Sequence, residues 1–300
     1  MNQNMNSEAI RKKKPDWLKT RLPGGDAYFI LKNKLEKNGM QTICQNARCP
    51  NIHECWNGNQ ATFLIMGNVC TRDCGFCAVA CGRPDPLDAA EDRRLLQMVQ
   101  LMNLGYAVIT SVTRDDLADK GSSHFAAVIR TLKQERPQLK IEVLIPDFDG
   151  KSSCLDHVLD AGPDVLAHNV ETVPSLYASV NRQAEAFEHS LQILEHSKKM
   201  GWITKTGLMV GLGETSAEIE ALFVILRDRG VDVLTIGQYL QPDSCSLPVR
   251  RYYSPGEFSA LQETALGHGF IGVESGPFVR SSYHAEQLYK KVIHALSRIQ

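Results

Sequence analysis

The sequence predicts an α/β fold, a parallel sheet covered by helices, on three observations. Short apolar runs rich in β-branched residues alternate with longer stretches whose apolar residues recur every three or four positions. The runs are continuously apolar, as in strands buried on both faces. No long linker or low-complexity segment divides the 300 residues, a length that suits one large domain.

In chain order, the first sixty residues stand outside this alternation. They are turn-rich, with LPGGD and CPN, and carry three cysteines, so they read as an extension laid on the core. Six strand candidates follow: TFLIM (62–66), YAVITSV (106–112), KIEVLI (140–145), DVLAHNV (164–170), ITKTGLMV (203–210) and VDVLTIG (231–237). Between them, AAEDRRLLQMVQLMNLG and SAEIEALFVILRDRG have helical periodicity, and each ends at a glycine, a common helix stop. A last helix follows GPFVRSSYH. Six repeats fit either an incomplete barrel or an open doubly wound sheet, and periodicity does not separate the two.

Charge excludes some functions. Lysine and arginine total 33 against 34 acidic residues, so no overall basic field attracts nucleic acid or an anionic membrane. The run Arg11 to Lys14 reads as a solvated basic arm. No window approaches the roughly 18 consecutive apolar residues of a membrane span. The first fourteen residues lack a signal-peptide core, and Glu8 and Asp16 fit an acid-depleted presequence poorly, which points to the cytoplasm. Disulfides are rare there, so nine cysteines ask for another explanation.

Six of the nine form two triplets. CTRDCGFC places Cys70, Cys74 and Cys77 at C-x3-C-x2-C spacing just after the first strand candidate, where barrel enzymes carry their chemistry. One loop can then wrap three corners of a four-iron cluster, leaving one iron open to a small chelating molecule. A catalytic zinc, which also has three protein ligands and an open position, and three buried free thiols are the alternatives. Cys44, Cys49 and Cys55 have C-x4-C-x5-C spacing, a weak signal alone. Cys81, Cys154 and Cys245 read as structural or incidental thiols. In GLMVGLGE, Gly211, Gly213 and Glu214 form either a tight strand-to-helix turn or a close approach to a ligand.

The run CQNARCPNIHECWNGNQATFLIMGNVCTRDCGFCAV resembles the lipoyl synthase family of radical S-adenosylmethionine enzymes, and the similarity extends through KPDWLKTRLPGG, ITSVTRDDL, HNVETV, GLMVGLGE, GQYLQP and GPFVRSSYHA, from Lys14 to Ala285. The resemblance implies a partial (β/α)6 TIM-type barrel over residues 60–275, an N-terminal extension over 1–59 and a C-terminal one over 276–300. It implies two 4Fe-4S clusters: one on Cys70, Cys74 and Cys77 that binds S-adenosyl-L-methionine, and an auxiliary one on Cys44, Cys49 and Cys55 with Ser282 as an unusual fourth ligand. Phe76 resembles the aromatic near the adenine, and Asn169 and Glu171 would face the barrel mouth.

The implied reaction is radical-mediated insertion of two sulfur atoms at carbons 6 and 8 of a protein-bound octanoyl-lysine, which acid-base or nucleophilic catalysis cannot achieve at unactivated methylenes. Implied partners are octanoylated carrier domains of 2-oxoacid dehydrogenase E2 subunits and of the glycine cleavage H protein, a low-potential donor such as flavodoxin or ferredoxin, and a cluster-repair protein. The rivals are another radical enzyme, attaching methylthio groups or closing the biotin ring, and a non-enzymatic iron-sulfur or zinc protein. The serine motif and the second triplet argue against the first, the open iron against the second. The chain departs from the family pattern at Ser246, usually histidine, and in DKGS, residues 119 to 122, usually DGGA.

Overall fold

The structure, a computed structural model, describes residues 14–298. Of the basic run, Arg11, Lys12 and Lys13 lie outside the described residues, as does Glu8; Lys14 is exposed. Helices α1 (Asp26–Lys37), α2 (Ile43–Asn46) and α3 (Ile52–Asn57) precede the core, with strand β1 (Gln41–Thr42) before α2. The core follows as β2 (Thr62–Ile65), β3 (Val69–Cys70), β4 (Ala80–Cys81), α4 (Glu91–Leu101), β5 (Tyr106–Ser111), α5 (Ser122–Glu135), β6 (Lys140–Leu144), α6 (Ser152–Leu159), β7 (Val165–Ala167), α7 (Glu185–Lys199), β8 (Ile203–Val210), α8 (Ser216–Asp228), β9 (Val233–Gln238), α9 (Pro255–Gly267), β10 (Gly272–Gly276) and α10 (Ala285–Leu296). No helix among the described residues is long and apolar enough to cross a membrane.

The main sheet runs β1-β2-β5-β6-β7-β8-β9-β10. All neighbours from β2 to β10 are parallel, and β1 adds antiparallel to β2. Among the described residues the edge strands do not pair with each other, so this is an incomplete barrel. Its six expected strands are present, and β10 is a seventh that the sequence pattern does not reveal. GVESG has two glycines and two polar residues, too little apolar character to read as a strand, and it pairs with β9 along its whole length.

Helix ends follow local chemistry. Thr215 and Glu218 form a capping box at α8, and Ser254 and Glu257 another at α9, where Pro255 occupies the first turn. Gly230, at φ 78°, ends α8 as expected. Helix α4 stops earlier than Gly105, because Asn103, at φ 49°, takes the left-handed position.

The two large apolar clusters lie between sheet and helices: one joins Leu95, Phe125, Ile141 and Leu155, the other Leu194, Leu222, Phe223 and Ile236. The barrel's inward row is different. Near the strands' amino ends, Lys205 is paired with Glu142 at 2.7 Å, and Tyr106 donates to the same carboxylate at 2.6 Å, all three buried. Helix α10 lies across these ends, with Ala285 and Tyr289 against Tyr106, and Leu288 and Val292 against Val233. Chemistry is therefore confined to the opposite, carboxyl-end mouth and to the gap between the sheet edges.

Candidate active site

Chain geometry after β2 builds the first cysteine loop. Met66 and Gly67, at φ 66° and 90°, turn the chain out of the strand, and the loop is then held by parallel pairing of β3 with β4. Arg72, inside the loop, binds both Asp115 and Asp147, the latter also contacted by Arg182. Gly75 donates to the Val180 carbonyl and accepts from Leu247 N, and a Cβ there would lie 3.0 Å from the Leu247 side chain. The Cys70 sulfur accepts from the amides of Arg72 and Thr113, and that of Cys77 from Val79.

Burial pushes the Cys74 thiol up to about 12, with Arg182 opposing and Glu171 and the two partner thiols adding to the rise. Burial also raises Cys77. Three thiolates here need a cationic centre among them. Amide donors already aimed at Cys70 and Cys77 suit sulfur that has become anionic.

The second triplet comes from α2, the turn after it, and α3. Cys49 N donates to Cys44 O at 2.9 Å, closing that turn. Trp56, wholly buried and stacked on Tyr28 at 5.1 Å, anchors α3 next to Cys55; burial of such a side chain stabilises by about 2–3 kcal/mol. Its indole N–H lies beside Cys44, too far for a good hydrogen bond to the thiol yet near enough to lower its pKa. That donor fits a thiolate. Burial and neighbouring thiols otherwise raise Cys44 to about 11 and Cys55 to about 12, and burial raises Cys49.

Ser282 arrives from 227 positions beyond Cys55. Asn51 Nδ2 donates to Phe278 O at 2.6 Å, and Tyr283 Oη donates to Glu54 at 3.0 Å, fastening the returning segment to α3 and its approach. The Thr62 hydroxyl donates to Ser282 Oγ at 2.7 Å. Cys44, Cys49, Cys55 and Ser282 thus line one cavity of about 230 Å³. Among the described residues no three His, Cys, Asp or Glu groups converge on a single-ion site; a polynuclear cluster, which offers each thiolate its own iron, does not require that.

A further cavity of about 200 Å³ lies against the second thiol set, and its wall includes Ile43, Leu144, Leu208, Met209 and Val279. Its lining includes Cys44, Cys49 and Ser282 as well as Asn169 and Glu171. Those last two, with Ile43 and Leu144, also line a cavity of about 180 Å³ containing Cys70, Cys74, Cys77 and Phe76. Asn169 Oδ1 accepts from Ser281 Oγ at 2.8 Å. Glu171 sits in the left-handed region at φ 65°, held by backbone bonds to Gly207 and Met209 on β8, and burial raises its carboxyl pKa. A non-glycine residue held there is a strained position of the kind that clusters at functional sites.

Gly211, Gly213 and Glu214 line none of these three cavities. The amides of Gly211, Leu212 and Gly213 all donate to the Glu214 carboxylate, so the turn satisfies its own donors. It reaches the site indirectly, because Leu212 packs in the cluster that supports Phe76. Of the other thiols, Cys154 is a core residue, Cys245 is exposed, and Cys81 is exposed opposite Cys70 on β4. Ser246 caps a local turn through Asp243, and Lys120, at φ 55°, occupies a left-handed position where a glycine would be free of strain. Sequence reasoning missed Thr62, Arg72, Asp147 and Arg182; only Arg72 had a signal, its place inside the cysteine loop.

Comparison with known proteins gives concordant results. Residues 64–225 match the model of the radical SAM superfamily, and residues 2–49 that of the N-terminal domain of lipoyl synthase of that family. The chain is 51% identical over 282 residues to the lipoyl synthase of Rubrobacter xylanophilus, covering 93% of this chain and 88% of that one. It is 49% identical over 290 residues to that of Myxococcus xanthus, covering 96% and 97%. Among solved structures, methylornithine synthase aligns with a TM-score of 0.56 at 14% identity, over 83% of this chain and 72% of that one. A maturase of the FeFe-hydrogenase aligns with a TM-score of 0.56 at 14% identity, over 88% and 69%. These two are similar in fold.

Proposed function

The chain belongs to the lipoyl synthase family of radical S-adenosylmethionine enzymes, and we propose that its two cysteine-lined cavities divide that family's reaction between them. The enzyme is a sulfurtransferase that inserts sulfur at carbons 6 and 8 of an octanoyl-lysine on a lipoyl carrier protein, using two 4Fe-4S clusters and S-adenosyl-L-methionine. When bound, these groups supply the one-electron chemistry and the sulfur.

The protein's part is to hold and to exclude. Cys70, Cys74 and Cys77 hold the cluster that takes S-adenosylmethionine, with Phe76 against the adenine and Asn169 and Glu171 at the mouth. Gly211, Gly213 and Glu214 shape the wall behind Phe76, a role supported by the packing of Leu212. Cys44, Cys49, Cys55 and Ser282 hold the auxiliary cluster. The apolar cavity between the two sets takes the octanoyl chain and keeps water from its reacting carbons.

The observation that carries this division is the shared wall: Ile43, Leu144, Asn169 and Glu171 line both the apolar cavity and the one containing Cys74. The extensions 1–59 and 276–300, of which residues 14–59 and 276–298 are described, then flank a core of 60–275, and their described parts complete the auxiliary site. We assign as carriers the E2 subunits of 2-oxoacid dehydrogenases and the glycine cleavage H protein, as donor a flavodoxin or ferredoxin, and a separate cluster-repair protein. A cytoplasmic location is supported by nine free thiols.

Anaerobic reconstitution followed by mass spectrometry of an octanoyl-lysine peptide tests the reading. Cys74→Ala abolishes cleavage of S-adenosylmethionine, whereas Cys49→Ala retains uncoupled cleavage without lipoyl product. Equal cleavage by wild type and Cys74→Ala overturns the division.

A further inference from the structure

Arg280 is a half-buried charge for which this chemistry has so far no use. It lies on the wall shared by the thiol-lined cavity and the apolar one, so it faces both the auxiliary site and the path of the octanoyl chain. Its Nη1 donates to the neighbouring Val279 carbonyl at 2.7 Å. The ionisable group that acts on it is Cys49, and among the described residues no carboxylate forms an ion pair with it. Other arginines in the fold are treated differently. Arg114 is paired with Asp116, Arg182 with Asp147, and Arg72 with both Asp115 and Asp147. Arg280 is only half withdrawn from water, but it has no carboxylate to neutralise it and lines the thiol-lined cavity, where an anionic group would answer its charge.

Space has also been made for it. A Cβ on Gly237 of β9 would fall 2.1 Å from the Val279 carbonyl and 3.2 Å from Arg280 Nη1, and one on Gly207 of β8 would fall 2.8 Å from Ser281 Oγ. Two adjacent strands are therefore bare where the segment bearing Arg280 and Ser282 crosses the barrel mouth. The guanidinium arrives between Cys49 and the apolar cavity by construction of the wall, not as a solvent-seeking side chain.

We propose that Arg280 is a positioning residue for sulfur insertion, the fixed counter-charge of the cluster held by Cys44, Cys49, Cys55 and Ser282, favouring that cluster's reduced form. The proposal rests on the assignment of those four ligands. Its chemical sense follows from electron counting: a carbon radical contributes one electron to a carbon-sulfur bond and a bridging sulfide supplies two, so one electron passes to the irons as the bond forms. The cluster becomes more negative in that step, and a nearby permanent cation stabilises the charge. A unit charge about 10 Å away, at an effective dielectric constant of about 20, changes a one-electron equilibrium by about tenfold or more.

The test uses full-length enzyme, reconstituted anaerobically, as wild type, Arg280→Lys, Arg280→Met and Cys49→Ala. Iron is counted, and the auxiliary cluster is titrated by electron paramagnetic resonance against solution potential. Arg280→Met is expected to lower the reduced-to-oxidised ratio at fixed potential by about tenfold, equivalent to about 59 mV for one electron, while Arg280→Lys stays near wild type. A wild-type midpoint in Arg280→Met overturns the proposal. Should Arg280→Met not load its auxiliary cluster, loading by Arg280→Lys supports the charge role, and failure of both, with the other cluster intact, overturns it in favour of shape. If Cys49→Ala keeps the full wild-type iron content, the ligand assignment itself has failed, an outcome distinct from any result at Arg280.

Discussion

Asp147→Asn removes the charge that clamps the first cysteine loop. Arg72 lies between Cys70 and Cys74 and reaches Asp115 at 2.8 and 3.0 Å and Asp147 at 2.5 and 2.6 Å. Arg182 reaches Asp147 at 3.2 Å. The Asp147 side chain is 1% exposed, so solvent screens these contacts little, whereas that of Asp115 is 31% exposed. Removing one partner of a buried pair costs about 3–5 kcal/mol. Because Arg72 keeps Asp115, the lower end applies, about 3 kcal/mol, which for a 300-residue chain lowers Tm by about 5 °C.

The effect has a pH signature in the iron-free protein. Arginine contacts hold the Asp147 carboxyl below its usual range, against the opposing effect of burial. A depressed carboxylate contributes stability that is complete above the unfolded value of about 3.9 and is lost as pH falls through the folded one. The gap between wild type and Asp147→Asn is therefore constant from pH 8 to about 5 and closes only below about 4. Calorimetry across that range, with iron content at pH 7.5, checks both parts. The variant should also lose iron from the Cys70, Cys74, Cys77 site and keep it at the other. A Tm within about 1 °C of wild type, with both sites fully loaded, would refute the reasoning.

Three further outcomes are expected. Ser282→Ala retains the Cys70, Cys74, Cys77 cluster and some cleavage of S-adenosylmethionine yet makes little or no lipoyl product, with Ser281→Ala milder; wild-type lipoyl formation in Ser282→Ala, measured by mass spectrometry, would leave Ser282 a mere partner of Thr62. The auxiliary cluster is consumed as the sulfur source, so purified enzyme stops at about one lipoyl group per chain, and sustained turnover without a repair protein would contradict this. His168, pushed down to about 4 by burial while its ring contacts the Ile145 carbonyl and the Ser190 hydroxyl, stays neutral in the fold. Its contribution to stability is complete above about pH 6.5 and declines toward pH 4; a histidine titration by NMR with a midpoint near 6.5 would show the ring to be accessible instead.

Six of the seven parallel strands are legible in the sequence because burial on both faces requires continuous apolar runs, and the cysteine loop is legible because its three ligands are close neighbours. Strand β10 is not, since GVESG is held by pairing with β9 rather than by its own composition. Motif resemblance alone singles out Ser282, and its meeting with Cys44, Cys49 and Cys55 is a tertiary event, fastened by Asn51, Thr62 and Glu54. The same holds for Asp147 and Arg182, ordinary polar residues until folding brings them to Arg72. The glycine turn from Gly211 to Gly213 shows the converse. Its pattern suggests a ligand cradle, but whether its amides are free depends on where the Glu214 side chain lies, and that carboxylate takes all three. Local sequence thus determined the strand repeat and the cysteine loop, whose causes act over a few residues. The setting of one apolar cavity against both cysteine-lined ones, and a guanidinium without an ion-pair partner on its wall, were decided by the tertiary structure, because contacts across more than two hundred positions leave no periodic trace in the chain.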